Sequence, residues 1–74
     1  MIMSFIEAIE AFKEGHAIRR ASADWDEATC YHIVDNMIKF HCGALGKDND
    51  IDGFVALEIE DLYADDWEIA DYVL

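Results

Sequence analysis

Between Asp48 and Asp71 the chain carries ten carboxylates, and after Lys47 it has no lysine or arginine at all. The same stretch holds Ile51, Phe54, Val55, Leu57, Ile59, Leu62, Tyr63, Trp67 and Ile69. Large apolar side chains are thus interleaved with acids at strand-like intervals. A solvated acidic tail has no use for such side chains, whose burial is what offsets the entropy of ordering a chain. The stretch therefore reads as part of a folded domain that buries one set of positions and displays negative charge with the other.

A chain of 74 residues makes a single domain, 1–74, with a small core. Hydrophobic residues make up 54% of it, enough to fold despite a net charge of -12. Self-repulsion at that charge lowers stability, eases with salt and opposes close packing of copies, so a monomer or weak dimer is expected. Anionic membranes and nucleic acid should be repelled, which argues against membrane association and against direct nucleic-acid binding. The start, Met1-Ile2-Met3-Ser4, has neither the basic region nor the apolar run of a signal peptide. Two cysteines make no disulfide framework, and a reducing intracellular setting is expected.

Ser4 to Glu14 reads as a helix, with Ser4 as cap, Glu7 at capping-box spacing and Gly15 as the stop. Phe5, Ile9 and Phe12, with Ile6 and Ala8 nearby, form its apolar face. His16–Arg20 is a short strand, and Ala21–Glu27 a polar loop containing Trp25. Ala28–Val34 and Met37–Cys42 are strands joined at Asp35-Asn36, a tight hairpin with a weaker turn signal than Asn-Gly. Gly43–Gly53 reads as a loop, Phe54–Ile59 as a strand, Asp61–Asp66 as one helical turn capped by Asp61, and Trp67–Val73 as the last strand. The expected fold is α+β: one N-terminal helix packed on an antiparallel sheet of about five strands.

Three stretches invite chemical readings. Asp48-Asn49-Asp50-Ile51-Asp52-Gly53 resembles the start of an EF-hand loop, but the twelfth position is Ile59 where a bidentate glutamate belongs. It reads as a solvated acidic turn. A hairpin turning at Asp35-Asn36 pairs Val34 with Met37, His32 with Lys39, and Cys30 with His41. Cys30, His32 and His41 then share one face and Cys42 the other, which excludes a Cys30–Cys42 disulfide. Zinc would lack a fourth ligand there, so the face reads as a mixed polar surface and no metal is expected. Arg19 and Arg20 read either as partners of local carboxylates or as an anion site for a small phosphorylated ligand. No nucleophile–base pair and no phosphate-cradling loop is present, so neither catalysis nor a cofactor is expected.

Two segments carry a resemblance. Phe5-Ile6-Glu7-Ala8-Ile9-Glu10-Ala11-Phe12-Lys13-Glu14-Gly15-His16-Ala17-Ile18-Arg19-Arg20 resembles the opening helix and strand of small phage proteins in the Thoeris anti-defence group. Asp61-Leu62-Tyr63-Ala64-Asp65-Asp66-Trp67-Glu68-Ile69 resembles their closing segment. The resemblance covers about a third of the chain, and the middle departs from it: Ala21-Ser22-Ala23-Asp24-Trp25-Asp26-Glu27 replaces the tryptophan-glycine-asparagine stretch usual after the basic pair. It implies a helix on an antiparallel sheet and a protein that acts as a sponge for cyclic ADP-ribose-type signals, with a relative reported as an anti-CRISPR.

The charge suggests a different use. Small acidic phage proteins of this size resemble anti-CRISPR proteins that imitate DNA. Alternate strand residues lie about 6.6 Å apart, so acids on neighbouring strands approach the charge spacing of a duplex. The first expectation is therefore an inhibitor in the cytoplasm of an infected bacterial host. It would bind a basic DNA-binding subunit of a CRISPR-Cas complex and block target DNA or PAM binding through Glu58, Glu60, Asp61, Asp65, Asp66, Glu68 and Asp71. These acids are placed on the last strand pair and the turn between. Replacing Asp65 and Asp66 by Lys is then expected to leave the fold intact. The alternative is a nucleotide-signal sponge using Arg19, Arg20 and Trp25 in an oligomer.

Overall fold

The computed structural model describes residues 2–22, 25, 29–42 and 50–71. In chain order these form α1 (Phe5–Lys13), β1 (Ile18–Arg20), β2 (Cys30–Val34), β3 (Met37–His41), β4 (Ile51–Asp52), α2 (Ile59–Tyr63) and β5 (Trp67–Ile69). The fold is α+β, with a five-stranded antiparallel sheet in the order β4-β3-β2-β1-β5.

Both ends of α1 are set by local chemistry. Ser4 Oγ accepts from the Glu7 amide at 3.2 Å, and Glu7 Oε1 accepts from the Ser4 amide at 3.1 Å. At the other end the Gly15 amide donates to the Phe12 carbonyl at 3.0 Å and the His16 amide to the Ala11 carbonyl at 3.2 Å. This is a Schellman stop, which needs the positive φ of 103° that Gly15 supplies. Phe5, Ala8, Ile9 and Phe12 pack on the sheet at i, i+3, i+4, i+7 spacing, whereas Ile6, about 100° off that stripe, is 75% exposed.

The hairpin register is the one alternation predicts: Cys30 opposite His41, His32 opposite Lys39, Val34 opposite Met37. Asp35 and Asn36 take φ of 51° and 66°, the left-handed pair of a two-residue type I′ turn. Asn36→Gly should therefore stabilise the domain by a few tenths of a kcal/mol, up to about 1, since glycine adopts this conformation without a Cβ clash. A rise in melting temperature measures it; a fall would contradict the turn assignment.

The second half differs from the sequence reading. Phe54–Ile59 is not a strand. Gly53 (φ 89°) and Ala56 (φ 62°) break the extended run, and Phe54, Val55 and Leu57 fold inward against the core instead. Their bulk serves burial, which periodicity alone does not separate from sheet pairing. The strand in this region is Ile51–Asp52, inside the expected loop; residues 43–49 of that loop lie outside the described residues. Helix α2 starts at Ile59 with Glu58 as N-cap, not at Asp61. No last strand pair exists, because β5 runs beside β1, pairing Ile18 with Ile69, Arg19 with Glu68 and Arg20 with Trp67.

The core lies between α1 and the sheet, around the fully buried Trp67, Tyr31 and Ile18. Trp25 packs edge-on against Tyr31, Phe40 and Trp67, with ring centroids 5.7, 6.3 and 5.6 Å away. The Tyr31 hydroxyl donates to the Val55 carbonyl, and burial raises its pKa above the ordinary phenol value. A smaller cluster, Ala17, Cys30 and Ala70, forms a second core patch. No helix among the described residues is long and apolar enough to cross a membrane.

Candidate functional site

Adjacent residues on a strand point to opposite faces, and this separates the two arginines. Arg19 is 6% exposed; its Nη2 donates to the Trp25 carbonyl at 2.9 Å, and its Nη1 lies 3.6 Å from Glu68 Oε1. Arg20 meets α2 and the chain before β5. Its Nε donates to Asp66 Oδ1 at 2.6 Å and its Nη2 to Asp66 Oδ2 at 3.0 Å, a two-pronged pair. Its Nη1 donates to Asp61 Oδ1 at 2.6 Å. The Asp66 hydrogen bonds, opposed by burial and assisted by Asp61, raise the Arg20 pKa further.

Asp61 is the junction of this region. Only 6% exposed, it accepts from the Glu58 amide through Oδ2 at 2.7 Å while Oδ1 receives Arg20. Its main-chain carbonyl accepts from Trp67 Nε1 at 2.8 Å. One residue thus ties α2, β1 and β5 together. The sequence reading took Asp61 for the helix cap and a surface acid; it sits at N3 instead, and burial makes its partners obligatory.

The other carboxylates expected to bind a partner divide in the same way. Asp66 is held by Arg20, Glu68 lies beside Arg19, and Asp71 takes His16 Nδ1 and the Ala17 amide, each at 2.8 Å. Glu58, Glu60 and Asp65 are exposed, and so is Asp71 despite its hydrogen bonds. Four of the seven acids stand against cationic or imidazole side chains of the domain itself.

These bonds carry a pH dependence. Arg20 above all, against an opposing effect of burial, holds the Asp66 carboxyl below its ordinary value of 3.8. His16 and then the Ala17 amide do the same for Asp71. Unfolded, both carboxyls take up protons near 3.8, while the folded ones resist until lower pH. The stability they contribute is complete above that value and is lost as pH falls from there through the depressed folded values. Denaturant unfolding across that acid range should show the loss, and Asp66→Asn should flatten it.

Beside Arg20 lies a cleft of about 430 Å³, lined by Arg20, Trp25, Thr29, Phe40, Cys42, Ala56, Glu58, Glu60 and Asp61. Of the residues the sequence suggested for a nucleotide site, Arg20 and Trp25 reach it and Arg19 does not. Thr29, Phe40 and Ala56 were missed. Nothing in their residue types marks them; the sheet order and the inward fold of residues 54–57 bring them there.

The cysteines and histidines weighed as metal ligands also divide. Cys30 is fully buried in the small cluster, and burial pushes its thiol up to about 11, so it behaves as a small apolar residue. Cys42 packs against the main core. His32 and His41 share a face as expected, and Asp50 joins them: its Oδ2 lies 2.9 Å from His32 Nε2 and its Oδ1 2.8 Å from His41 Nδ1. Asp52, one residue beyond Ile51, pairs with Lys39. The described acids of the EF-hand-like stretch thus face different partners; Asp48 lies outside the described residues.

No curated protein and no solved structure matches the chain significantly. The family model for the Tad2-like group, the Thoeris anti-defense 2-like domain, matches residues 3–70, and the chain belongs to that family of anti-defence proteins.

Proposed function

We propose that the protein is a non-catalytic sponge that sequesters a cyclic nucleotide immune signal, of the cyclic ADP-ribose type, in the cleft beside Arg20. The observation that supports this most is that one cleft brings together an arginine, a tryptophan and carboxylates. Its volume lies within the roughly 300–1,000 Å³ range of small-molecule sites. An aromatic face suits a base, and carboxylates suit ribose hydroxyls as hydrogen-bond acceptors. A guanidinium has five N–H donors. Three are engaged by Asp61 and Asp66, which leaves two for a phosphate. The family supports the same reading.

The test is calorimetry and thermal shift with cyclic ADP-ribose isomers on the whole chain. Glu60 is exposed and is not the cap of α2, so Glu60→Lys should change stability by no more than about 1 kcal/mol. A melting-temperature rise in the natural protein that disappears in this variant is the expected result. Binding that the variant retains would place the ligand elsewhere, and no binding of any isomer would sink the reading.

The net charge of -12 favours a second reading, inhibition of a CRISPR surveillance complex by acidic mimicry. Competition with target duplex for the purified complex, weakening steeply with salt, would favour it. It has less support from the geometry, since four of its seven acids are engaged within the domain.

A further inference from the structure

We infer that His32, His41 and Asp50 form a binding site for a divalent transition-metal ion of the zinc type, on the opposite side of the β2–β3 hairpin from Tyr31 and Phe40. The three potential ligand atoms, His32 Nε2, His41 Nδ1 and one Asp50 carboxylate oxygen, lie within 4.8 Å of one another. They come from three separate places in the chain: the middle of β2, the end of β3 and the residue before β4. The His32 and His41 side chains are each 12% exposed and Asp50 27%, so the site is sheltered yet open to entry.

The chemistry of the set is specific. Each imidazole nitrogen faces a different oxygen of one carboxylate, at 2.9 and 2.8 Å. Without metal, such contacts need a proton between each nitrogen and oxygen. One divalent cation can replace those protons and accept lone pairs from all three groups. Zinc bonds to imidazole nitrogen at about 2.0–2.1 Å and to carboxylate oxygen at about 2.0–2.2 Å, which sets tetrahedral ligand atoms about 3.3 Å apart. The nitrogen–oxygen contacts of 2.8 and 2.9 Å would open slightly and wider separations, all within 4.8 Å, would close to admit the ion. Two histidines and a carboxylate leave a fourth position for water.

Two imidazoles and one carboxylate suit zinc, cobalt or nickel and not calcium, which takes six to eight oxygen ligands. Asp52, the next acid in the EF-hand-like stretch, is committed to Lys39. The surrounding net charge of -12 attracts a dication and tolerates the single positive charge that the bound site would carry.

Bound metal would fasten the start of β4 to the hairpin. Within the described sheet β4 is the shortest strand and lies at an edge, pairing only Ile51 with Phe40 and Asp52 with Lys39. The ion would secure the weakest part of the sheet without touching the cleft beside Arg20, and the inference is independent of the signal-sponge reading.

The experiment is calorimetry and thermal shift of the whole chain with zinc chloride, repeated with calcium chloride. Zinc should bind with one-to-one stoichiometry at micromolar concentration, raise the melting temperature by several degrees and be reversed by chelator; calcium should do neither. His32→Gln, His41→Gln and Asp50→Asn should each weaken zinc binding at least about tenfold, since even second-shell changes cost that much. Asp52→Asn should leave it unchanged. Should a histidine variant fail to fold, cobalt absorption of the natural protein decides: ligand-field bands of a low-coordinate nitrogen–oxygen site support the inference, and an octahedral aqueous spectrum overturns it. Absence of zinc binding would also overturn it, as would binding that survives in Asp50→Asn and the histidine variants, the mark of scattered surface carboxylates.

Discussion

Trp67→Ala is expected to remove most of the stability of this domain. Trp67 is fully buried, packs against Phe5 and Trp25 at centroid distances of 5.1 and 5.6 Å, and donates its indole N–H to the Asp61 carbonyl. Its backbone also closes the chain on itself, through paired hydrogen bonds with Met3 at 2.9 and 3.0 Å. Truncating a buried tryptophan to alanine costs about 3–5 kcal/mol. At about 0.05–0.15 kcal/mol per residue, a domain of this length has on the order of 4–11 kcal/mol to lose. The melting temperature should fall on the order of 20 °C, since each kcal/mol is worth about 4–8 °C at this size. Trp67→Phe keeps a ring in the core but loses the indole hydrogen bond and leaves space beside the smaller ring, while the Asp61 carbonyl still accepts from the Ala64 amide at 3.4 Å; it should cost about 1–3 kcal/mol. Circular dichroism melts of the two variants measure both values. A loss under about 1.5 kcal/mol for Trp67→Ala would mean that β5 and α2 do not dock through this side chain.

Arg20→Ala is the second large effect, and it separates two kinds of acid. Without the guanidinium, the Asp61 side chain, 8% exposed, is left with no cation beside it. Breaking a buried pair from one side costs about 3–5 kcal/mol. Asp66 is 34% exposed and regains water, so the low end of that range is expected here. Asp66→Lys should also destabilise, because it sets an ammonium against Arg20 where a two-pronged hydrogen bond stood. Asp65→Lys, at an exposed neighbour, should change stability by no more than about 0.5 kcal/mol. The sequence treats these adjacent aspartates alike and expects both changes to leave the fold intact; the structure assigns them opposite outcomes. Chemical denaturation of the three single variants at neutral pH decides. Equal, near-zero changes for Asp65→Lys and Asp66→Lys would refute the ion-pair arrangement. Arg20→Ala should also weaken cyclic-nucleotide binding if the cleft is the signal site, and a folded variant that binds as well as the natural protein would remove Arg20 from that role.

Local chemistry, written over a few neighbouring residues, was legible in the sequence by itself. Ser4 with Glu7, the Gly15 stop, the Asp35-Asn36 turn and the alternation along β2 and β3 set α1 and the hairpin with its register. The reason is that caps, turns and strand alternation act within a few residues or across one tight turn. The fold class was readable from the pattern of helix and strands along the chain, and the resemblance to the anti-defence family from Phe5–Arg20 and Asp61–Ile69.

Which of two chemically similar residues meets which partner was decided only by tertiary structure. Phe54, Val55 and Leu57 satisfy a strand pattern, yet they are spent on the core because Gly53 and Ala56 turn the chain there. Arg19 and Arg20 are neighbours with identical chemistry. The placement of β5 against β1 puts Glu68 beside one of them and Asp61 with Asp66 beside the other. Asp50 is one acid among many until the pairing of β4 with β3 sets it between His32 and His41. An ion pair requires groups within about 4 Å. When those groups are separated by 46 residues, as Arg20 and Asp66 are, the strand order alone brings them within reach.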